Sequence, residues 1–204
     1  TKLFKLIELT RSQPQYGYAL AGIPKQDLSD LAQHHYLVTF IAWQLAKNLK
    51  ALGANLNVEK VLEYAMVHDL GELLGGDISM PYARANRKAY RLAKAFEMEN
   101  QRYLSKFFGK LAKNYRQLGA EVLNAKTDEA RIAKISDYVE VVLYKSYVGR
   151  LSEGDIEMSA AKIRKTISKM KDKIAKENLR EFVDAWSKEM ESEKSKEFFE
   201  DAKG

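Results

Sequence analysis

The chain has 204 residues, a formal net charge of +6 and no cysteine. This length falls within the range of one domain and is enough to bury a sizeable core. The lack of cysteine excludes disulfide bonds and thiolate metal sites. No apolar run approaches the ~18 residues that a membrane-spanning helix needs, and no signal-peptide pattern opens the sequence. We therefore expect a cytoplasmic protein that does not enter a membrane.

The first third of the sequence predicts helices separated by one loop. Residues 2 to about 10 form an amphipathic pattern, and residues 10–26 hold two of the three prolines and predict a loop. A longer helix is predicted from residue 28 to about 50. His34 shares the apolar stripe of this helix, whereas His35 is rotated away from it. We therefore expect His34 to point inward and His35 to be a structural residue.

A second helix is predicted to begin at the N-cap Asn57 and to end at the glycine pair Gly75-Gly76. Three ionisable residues, His68, Asp69 and Glu72, lie in its last turns. Spacings of three and four residues place their side chains on one face of a helix. Burying unpaired charge costs several kcal/mol in effective terms. The cluster therefore predicts a bound cation.

A basic segment follows the connection through Pro81. From Arg84 to Arg116 ten Lys or Arg residues stand against two acids, Glu97 and Glu99. Aromatic residues are interleaved with them, namely Tyr90, Tyr103, Phe107, Phe108 and Tyr115. One interpretation is that this segment binds RNA or DNA. The pattern favours the other, an amphipathic helix with a buried aromatic stripe and a solvated basic face.

Three more helices are predicted in the rest of the sequence. The first opens after Thr127 and carries Asp137 among apolar neighbours, with Lys134 one turn before it as a salt-bridge partner. Two tail helices then show apolar stripes, the first with Ile163, Ile167, Met170 and Ile174, the second with Leu179, Phe182, Val183, Trp186 and Met190. Strand-like alternation is scarce, so the fold class is all-α.

A histidine on one helix, a His-Asp pair on the next and an aspartate far downstream resemble the HD-domain phosphohydrolase superfamily. Within it, the sequence is similar to the branch that contains the 5′-deoxynucleotidases. The residues that carry the narrower likeness are Ala32-Gln33-His34, His68-Asp69-x-x-Glu72 and Gly76-Asp77-Ile78. The likeness covers residues 1–150, which predicts an HD domain there as a single helical bundle. Residues 151–204 are expected to form a helical extension, packed on the same domain or at a dimer interface.

The resemblance implies a role for each motif residue. The metal ligands would be His34, His68, Asp69 and Asp137, Glu72 would be catalytic, and Asp77 would contact the sugar hydroxyl of a nucleotide. Arg11 is the candidate for a phosphate contact, because a guanidinium fork suits phosphate oxygens. Nitrogen and oxygen donors suit one divalent ion, Mn²⁺, Co²⁺, Fe²⁺, Zn²⁺ or Mg²⁺, and the sequence does not choose among them.

The predicted function is metal-dependent hydrolysis of (deoxy)nucleoside 5′-monophosphates to nucleoside and phosphate, by a protein that the resemblance implies to be a homodimer. Two alternatives stay open. One is another HD hydrolase, a phosphodiesterase or a nucleoside triphosphate hydrolase. The other is a regulatory HD protein that binds nucleic acid without turnover, against which the retention of Glu72 argues.

Overall fold

The computed structural model describes residues 2–191, and nine α-helices form most of this part of the chain. They are α1 (Lys2–Ile7), α2 (Leu31–Ala51), α3 (Val58–Val67), α4 (Met80–Ala85), α5 (Arg87–Leu104), α6 (Ala112–Leu123), α7 (Asp128–Tyr147), α8 (Glu153–Ser168) and α9 (Lys173–Glu191). Within these residues one isolated bridge, between Pro14 and Asp30, is the only β-type pairing. The predicted all-α class is confirmed. No helix in the described range combines the length and apolarity needed to cross a bilayer.

The centre of the bundle is formed by α2, α3 and α7, which pack against one another. Side-chain caps fix where these helices begin. The Asn57 carboxamide oxygen accepts a hydrogen bond from the Lys60 N–H at 3.1 Å, and the Thr127 hydroxyl oxygen accepts one from the Ala130 N–H at 3.1 Å. Both starts agree with the sequence prediction. The faces that meet in the centre are fully buried at Val38, Ala42, Ala46, Val61, Ala65, Ala133, Ile135 and Val142.

The second predicted helix is shorter than expected, because α3 ends at Val67. Asp69 leaves helical geometry, with φ −116° and ψ 14°, and a separate 3-10 helix spans Leu70–Leu74. His68, Asp69 and Glu72 therefore do not share one α-helical face. The prediction that the helix continues to Gly75-Gly76 is wrong, and the break turns the three side chains around the end of α3.

The basic segment forms α4, α5, the 3-10 helix Ser105–Leu111 and α6. Its aromatic residues do not form one buried stripe. Tyr115 is buried against the core and stacks on Phe108, with ring centroids 3.9 Å apart. Tyr90 and Tyr103, however, are 42% and 48% exposed. The expected burial is therefore wrong for these two residues, because α5 buries only Asn100, Gln101 and Leu104.

The C-terminal helices α8 and α9 pack on the central bundle. Ser152 and Asp155 form a capping box at the start of α8, and the Asp155 carboxylate also accepts a hydrogen bond from Lys145 of α7 at 2.6 Å. Ile163 and Ile167 are fully buried in the same apolar cluster as the core of α2, α3 and α7. The predicted stripe of the first tail helix is divided, since α8 ends at Ser168 and Ile174 lies in α9.

Candidate metal centre

Four predicted ligands, from α2, α7 and the end of α3, converge on one point. Single donor atoms of His34, His68, Asp69 and Asp137 all lie within 4.8 Å of one another. The two histidine Nε2 atoms are 3.2 Å apart. His34 Nε2 is 3.5 Å from Asp69 Oδ2 and 3.7 Å from Asp137 Oδ1. The structure thus brings together the four side chains that the sequence predicted as ligands.

The other ring nitrogens show that this group of atoms fits a cation. His68 Nδ1 lies 2.7 Å from the carbonyl oxygen of Ala65, which only accepts, so Nδ1 carries the proton. His34 Nδ1 lies 2.8 Å from a carboxylate oxygen of Glu140 and donates in the same way. When each ring carries only that proton, both Nε2 atoms offer lone pairs to the centre. Two lone pairs and two carboxylate oxygens that converge on one point favour a bound metal ion.

The electrostatics of the cluster show the same demand for positive charge. Burial lowers the pKa of His34, but hydrogen bonds with Asp69 and Glu140 outweigh it and hold the pKa well above the ordinary value. Burial raises the pKa of Asp69, but the charge of His68 prevails and the net pKa lies well below the usual range. In the chain alone a proton on His34 balances the carboxylates. A divalent ion provides the same balance more fully.

Glu72 and Asp77 lie next to the cluster, on the segment that follows the break. Burial, then the negative charges of Asp69 and Asp77, raise the pKa of Glu72 well above its ordinary value. Burial also raises the pKa of Asp77. Asp77 Oδ1 is buried without a hydrogen-bond partner in the part of the chain that is described. An unpaired buried carboxylate oxygen is a ready acceptor for a ligand hydroxyl.

The N-terminal segment closes over this side of the cluster. Gln15 Nε2 is 3.4 Å from Glu72 Oε2, and the Gly17 N–H donates to Asp77 Oδ2 at 2.7 Å. A Cβ atom at Gly17 would meet that same carboxylate oxygen, so a larger residue there would displace the Asp77 side chain. The predicted loop at residues 10–26 is in fact built from short 3-10 turns, Glu8–Ser12, Tyr16–Ala21 and Lys25–Asp27.

Arg11 is the one predicted site residue that the structure does not bring to the cluster. Its guanidinium pairs with Glu8 at 2.9 Å, and 72% of its side chain is exposed. It lines a shallow surface depression together with Ala32, Gln33 and Tyr36. Its predicted contact with the phosphate of a nucleotide would need a movement of the N-terminal segment.

Two acids near the cluster were missed by the sequence analysis. Glu140, one turn after Asp137, accepts hydrogen bonds from His34 Nδ1 and from the Tyr18 hydroxyl, the latter at 3.3 Å. Glu97 of α5 has a buried Oε1 atom with no hydrogen-bond partner among residues 2–191. Burial, then the charge of Asp69, raises its pKa to about 8. The spacing from Asp137 was the available signal for Glu140, whereas Glu97 was hidden within the basic segment.

Two predictions about neighbouring residues can be compared directly with the structure. The salt bridge between Lys134 and Asp137 is present, with Nζ 2.6 Å from Oδ2. His35 packs beside His68 with ring centroids 4.9 Å apart, and burial, then the charge of His68, holds its pKa well below the ordinary value. A neutral His35 beside the cluster agrees with a structural role.

Comparison with known proteins places this cluster in a family. The sequence pattern of a family described as "HD domain" matches residues 11–197, a range that includes α8 and α9. A 5′-deoxynucleotidase of Pectobacterium atrosepticum is 31% identical over 138 residues, which are 66% of this chain and 67% of the relative. A 5′-deoxynucleotidase of Vibrio vulnificus is 31% identical over 144 residues, 68% of this chain and 71% of the relative.

Two solved structures from archaea have a similar fold. A conserved hypothetical protein of Pyrococcus furiosus has a TM-score of 0.65 and 25% identity, with 92% of this chain and 98% of that chain covered. A protein of Pyrococcus horikoshii has a TM-score of 0.68 with the same coverage, and its 21% identity makes it evidence of the fold alone. The family match and the curated relatives agree, and the chain belongs to the HD-domain family.

Proposed function

We propose that this protein is a metal-dependent 5′-nucleotidase that hydrolyses (deoxy)nucleoside 5′-monophosphates to nucleoside and phosphate. The observation that carries the proposal is the cluster of His34, His68, Asp69 and Asp137, with Glu72 beside it. The relatives named 5′-deoxynucleotidase support the same reaction class. We propose one divalent ion per chain, bound by these four residues.

An ion held by His34, His68, Asp69 and Asp137 would supply Lewis acidity toward a phosphoryl oxygen and would lower the pKa of a nearby water. The residues of the chain orient the ligand atoms around it. Nδ1 of His34 and of His68 is held by an acceptor, so each ring presents Nε2 in a fixed direction. Because both rings are buried, the centre excludes bulk water from that side.

Glu72 is proposed to move the proton. Its backbone N–H donates to the Asp69 carbonyl at 2.9 Å, which fixes it next to the metal ligand in the chain. A carboxyl group with a raised pKa holds and releases a proton nearer to neutral pH than an ordinary glutamate does. Glu72 therefore takes a proton from the attacking water or gives one to the leaving oxygen.

Asp77 is proposed to read the sugar of the nucleotide. One of its carboxylate oxygens is held by the Gly17 N–H, and the other is buried without a partner among the described residues. A sugar hydroxyl would provide the missing donor. The oriented carboxylate thus provides a basis for discrimination between deoxyribose and ribose.

Three further parts of the proposal, the compartment, the oligomeric state and the domain bounds, rest on the sequence. We propose that the protein is cytoplasmic and forms a homodimer, and that residues 1–150 form the HD domain, with residues 151–204 as its extension. Thr1 and residues 192–204 lie outside the part of the chain that the structure describes. Sedimentation velocity of the purified chain would measure the mass. A single species at twice the chain mass is expected, and a species at the chain mass would refute the dimer.

The reaction is tested by phosphate release from deoxyribo- and ribonucleoside mono-, di- and triphosphates and from cyclic nucleotides. Protein stripped of metal is assayed alone and then with Mn²⁺, Co²⁺, Mg²⁺ or Zn²⁺. We expect release from deoxynucleoside monophosphates, with metal only. Release from triphosphates or cyclic nucleotides alone would assign a different HD hydrolase. Metal binding with every substrate intact would support the regulatory alternative.

The sugar contact is tested by Asp77→Asn, which keeps an acceptor for the Gly17 N–H but removes the charge. The ratio of kcat/KM for a deoxyribonucleotide to that for its ribonucleotide should move toward one, by about tenfold, since an oriented charged hydrogen bond contributes about 1.5–3 kcal/mol. An unchanged ratio would remove Asp77 from sugar recognition.

A further inference from the structure

Positively charged side chains lie near the Oδ2 atom of Asp137, the carboxylate oxygen that does not face His34. Lys134 Nζ is 2.6 Å from Asp137 Oδ2 and 5.3 Å from the centroid of the Tyr138 ring. Lys162 of α8 approaches the same ring, with its Nζ 5.0 Å from the centroid. Two lysines from different helices therefore converge on the one tyrosine that follows Asp137.

Arg84 of α4 adds a third positive charge. Its Nη1 atom contacts the sulfur of Met158, which lies one turn before Lys162 on α8. Met158 and Lys162 are four residues apart on α8, so Arg84 lies over the same face of that helix as Lys162. We name Arg84, Lys134 and Lys162 the Tyr138 cation cluster.

This cluster has more positive charge than its neighbours balance. Neither Arg84 nor Lys162 forms an ion pair with a carboxylate within residues 2–191, and Lys134 uses the single carboxylate of Asp137. Burial, then the charge of Arg84, lowers the pKa of Lys162 to about 8. A half-buried ammonium group that is surrounded by like charges lacks an anion.

The position of the cluster indicates which anion it takes. Asp137 turns Oδ1 toward His34 Nε2 at 3.7 Å and Oδ2 toward Lys134 Nζ. One carboxylate group therefore links the metal centre to the Tyr138 cation cluster. An anion bound to the cluster would lie beside the metal centre. Arg84 is exposed, so the cluster is accessible from solvent on that side.

We propose that the Tyr138 cation cluster is a phosphoryl-binding subsite, which holds the phosphate of the substrate while the metal centre acts on it. This inference rests on the proposed nucleotidase function. Ammonium and guanidinium groups are the side chains that bind phosphate oxygens most strongly, and the planar fork of Arg84 can contact two of them. Lys162 makes the C-terminal helix α8 part of the substrate site.

The subsite is tested with inorganic phosphate as the probe. Phosphate is titrated calorimetrically into the full-length chain, first stripped of metal and then loaded with Mn²⁺. Lys162→Met keeps the length of the side chain and removes its charge. Lys165→Met, at an exposed position of the same helix, is the matched control. Lys162→Arg restores a charge at the site.

We expect Lys162→Met to weaken phosphate binding to the Mn²⁺-loaded protein at least about tenfold, because a charged hydrogen bond is lost. Its Mn²⁺ affinity should be unchanged, and its KM for a nucleoside monophosphate should rise with the phosphate dissociation constant. Lys162→Arg should recover most of the affinity. Equal phosphate affinities of Lys162→Met and Lys165→Met would overturn the subsite.

A second variant covers the case that Lys162→Met does not fold. Arg84 is exposed, so Arg84→Met leaves the core intact, and it should also weaken phosphate binding. An unchanged affinity in Arg84→Met would then refute the cluster. Failure of the proposed function is distinguishable, since phosphate binding that depends on Lys162 without nucleotide hydrolysis would retain the subsite and reject the reaction. Nucleotide hydrolysis with a KM that is unchanged in Lys162→Met would retain the reaction and reject the subsite.

Discussion

At the scale of single residues, Glu72 has the environment that proton transfer requires. It is close to the metal ligands in space but holds none of the four converging donor atoms. Burial and two neighbouring aspartates favour its protonated form. In the proposed mechanism, metal binding and proton transfer belong to different side chains, so a substitution can separate them.

Glu72→Gln should lower kcat by about a hundredfold or more, because the proton-transfer group is removed while its shape is kept. The dissociation constant for Mn²⁺ should stay unchanged, as measured by calorimetry on the same preparation. Glu157→Gln, on the exposed side of α8, is the control and should retain full activity. Wild-type turnover in Glu72→Gln would exclude this residue from the mechanism.

The sequence predicted this site because its main residues are marked by type and order. His34, with the His68-Asp69 pair and Asp137, needed no distances to be recognised. Glu140 and Glu97 could not be found in this way, because an acid on a helix is most often solvated. Glu140 and Glu97 reach the site because they lie on the inward faces of α7 and α5. Those faces are set by how the two helices pack, which the sequence pattern does not show.

At the scale of elements, α7 is the helix that organises the centre. Lys134, Asp137 and Glu140 follow one another at intervals of three residues on its inner face. The first pairs with the second, and the third holds His34 Nδ1. One helix therefore sets the position of one proposed metal ligand, Asp137, and the orientation of another, His34 of α2.

Glu140→Ala should weaken Mn²⁺ binding about 10- to 100-fold, which is the usual effect of removing a partner that orients a histidine ligand. Glu140→Gln should have a smaller effect, since its amide oxygen still accepts from His34 Nδ1. Calorimetric titration of stripped protein measures both. Affinities equal to that of the surface variant Glu157→Ala would show that Glu140 does not orient the ligand.

Glu97 of α5 makes the free energy of unfolding depend on pH. Its pKa is raised from 4.5 to about 8, so the folded protein keeps a proton that the unfolded chain releases between these values. This stabilisation is complete below pH ~4 and is lost as the pH rises to about 8, at about 1.4 kcal/mol per pH unit. His34 and Glu72 also have raised pKa values, so they too make the free energy of unfolding fall as the pH rises.

Glu97→Gln should therefore flatten the fall in stability of the metal-free protein between pH 5 and pH 8. Urea unfolding at several pH values measures the slope, with Glu99→Gln, exposed on the same helix, as the control. The remaining slope belongs to the other groups. Parallel pH curves for Glu97→Gln and the wild type would contradict the raised pKa.

The break after α3 shows what an element-level prediction lacks. The N-cap at Asn57 was predicted correctly, but the helix was extended past Gly71, two residues after Asp69, to the stop signal at Gly75-Gly76. The helix ends at Val67 because tertiary contacts replace its hydrogen bonds. Asn100 and Gln101 of α5 donate to the carbonyls of Gly71 and Val67 at 2.9 and 3.1 Å. Such contacts between distant segments are not visible in local periodicity.

At the scale of the whole molecule, the C-terminal helices belong to the same core as the metal centre. Ile163 of α8 and Leu179 of α9 are buried in the apolar cluster that includes Val61 of α3. The motifs of the family all lie before residue 150, so their recognition could not place these helices. The stripes predicted their burial but not the surface on which they pack.

The two tryptophans can show whether the C-terminal helices unfold together with the central bundle, since Trp43 lies on α2 and Trp186 on α9. Urea unfolding followed by fluorescence of Trp43→Phe and of Trp186→Phe reports on the two parts separately. Coincident transitions with equal m values are expected, because shared apolar burial couples the parts into one cooperative unit. Two separated midpoints would show an independent C-terminal unit.

The proposed metal centre is tested most directly by following phosphate release from a deoxynucleoside 5′-monophosphate while Mn²⁺ is titrated into stripped protein and its binding is measured in parallel. We expect no release without the ion, and a rate that rises with occupancy and levels at one ion per chain. His68→Ala should abolish both the binding and the rate. Full activity in stripped protein, or tight binding that survives His68→Ala, would contradict the assignment of the metal centre.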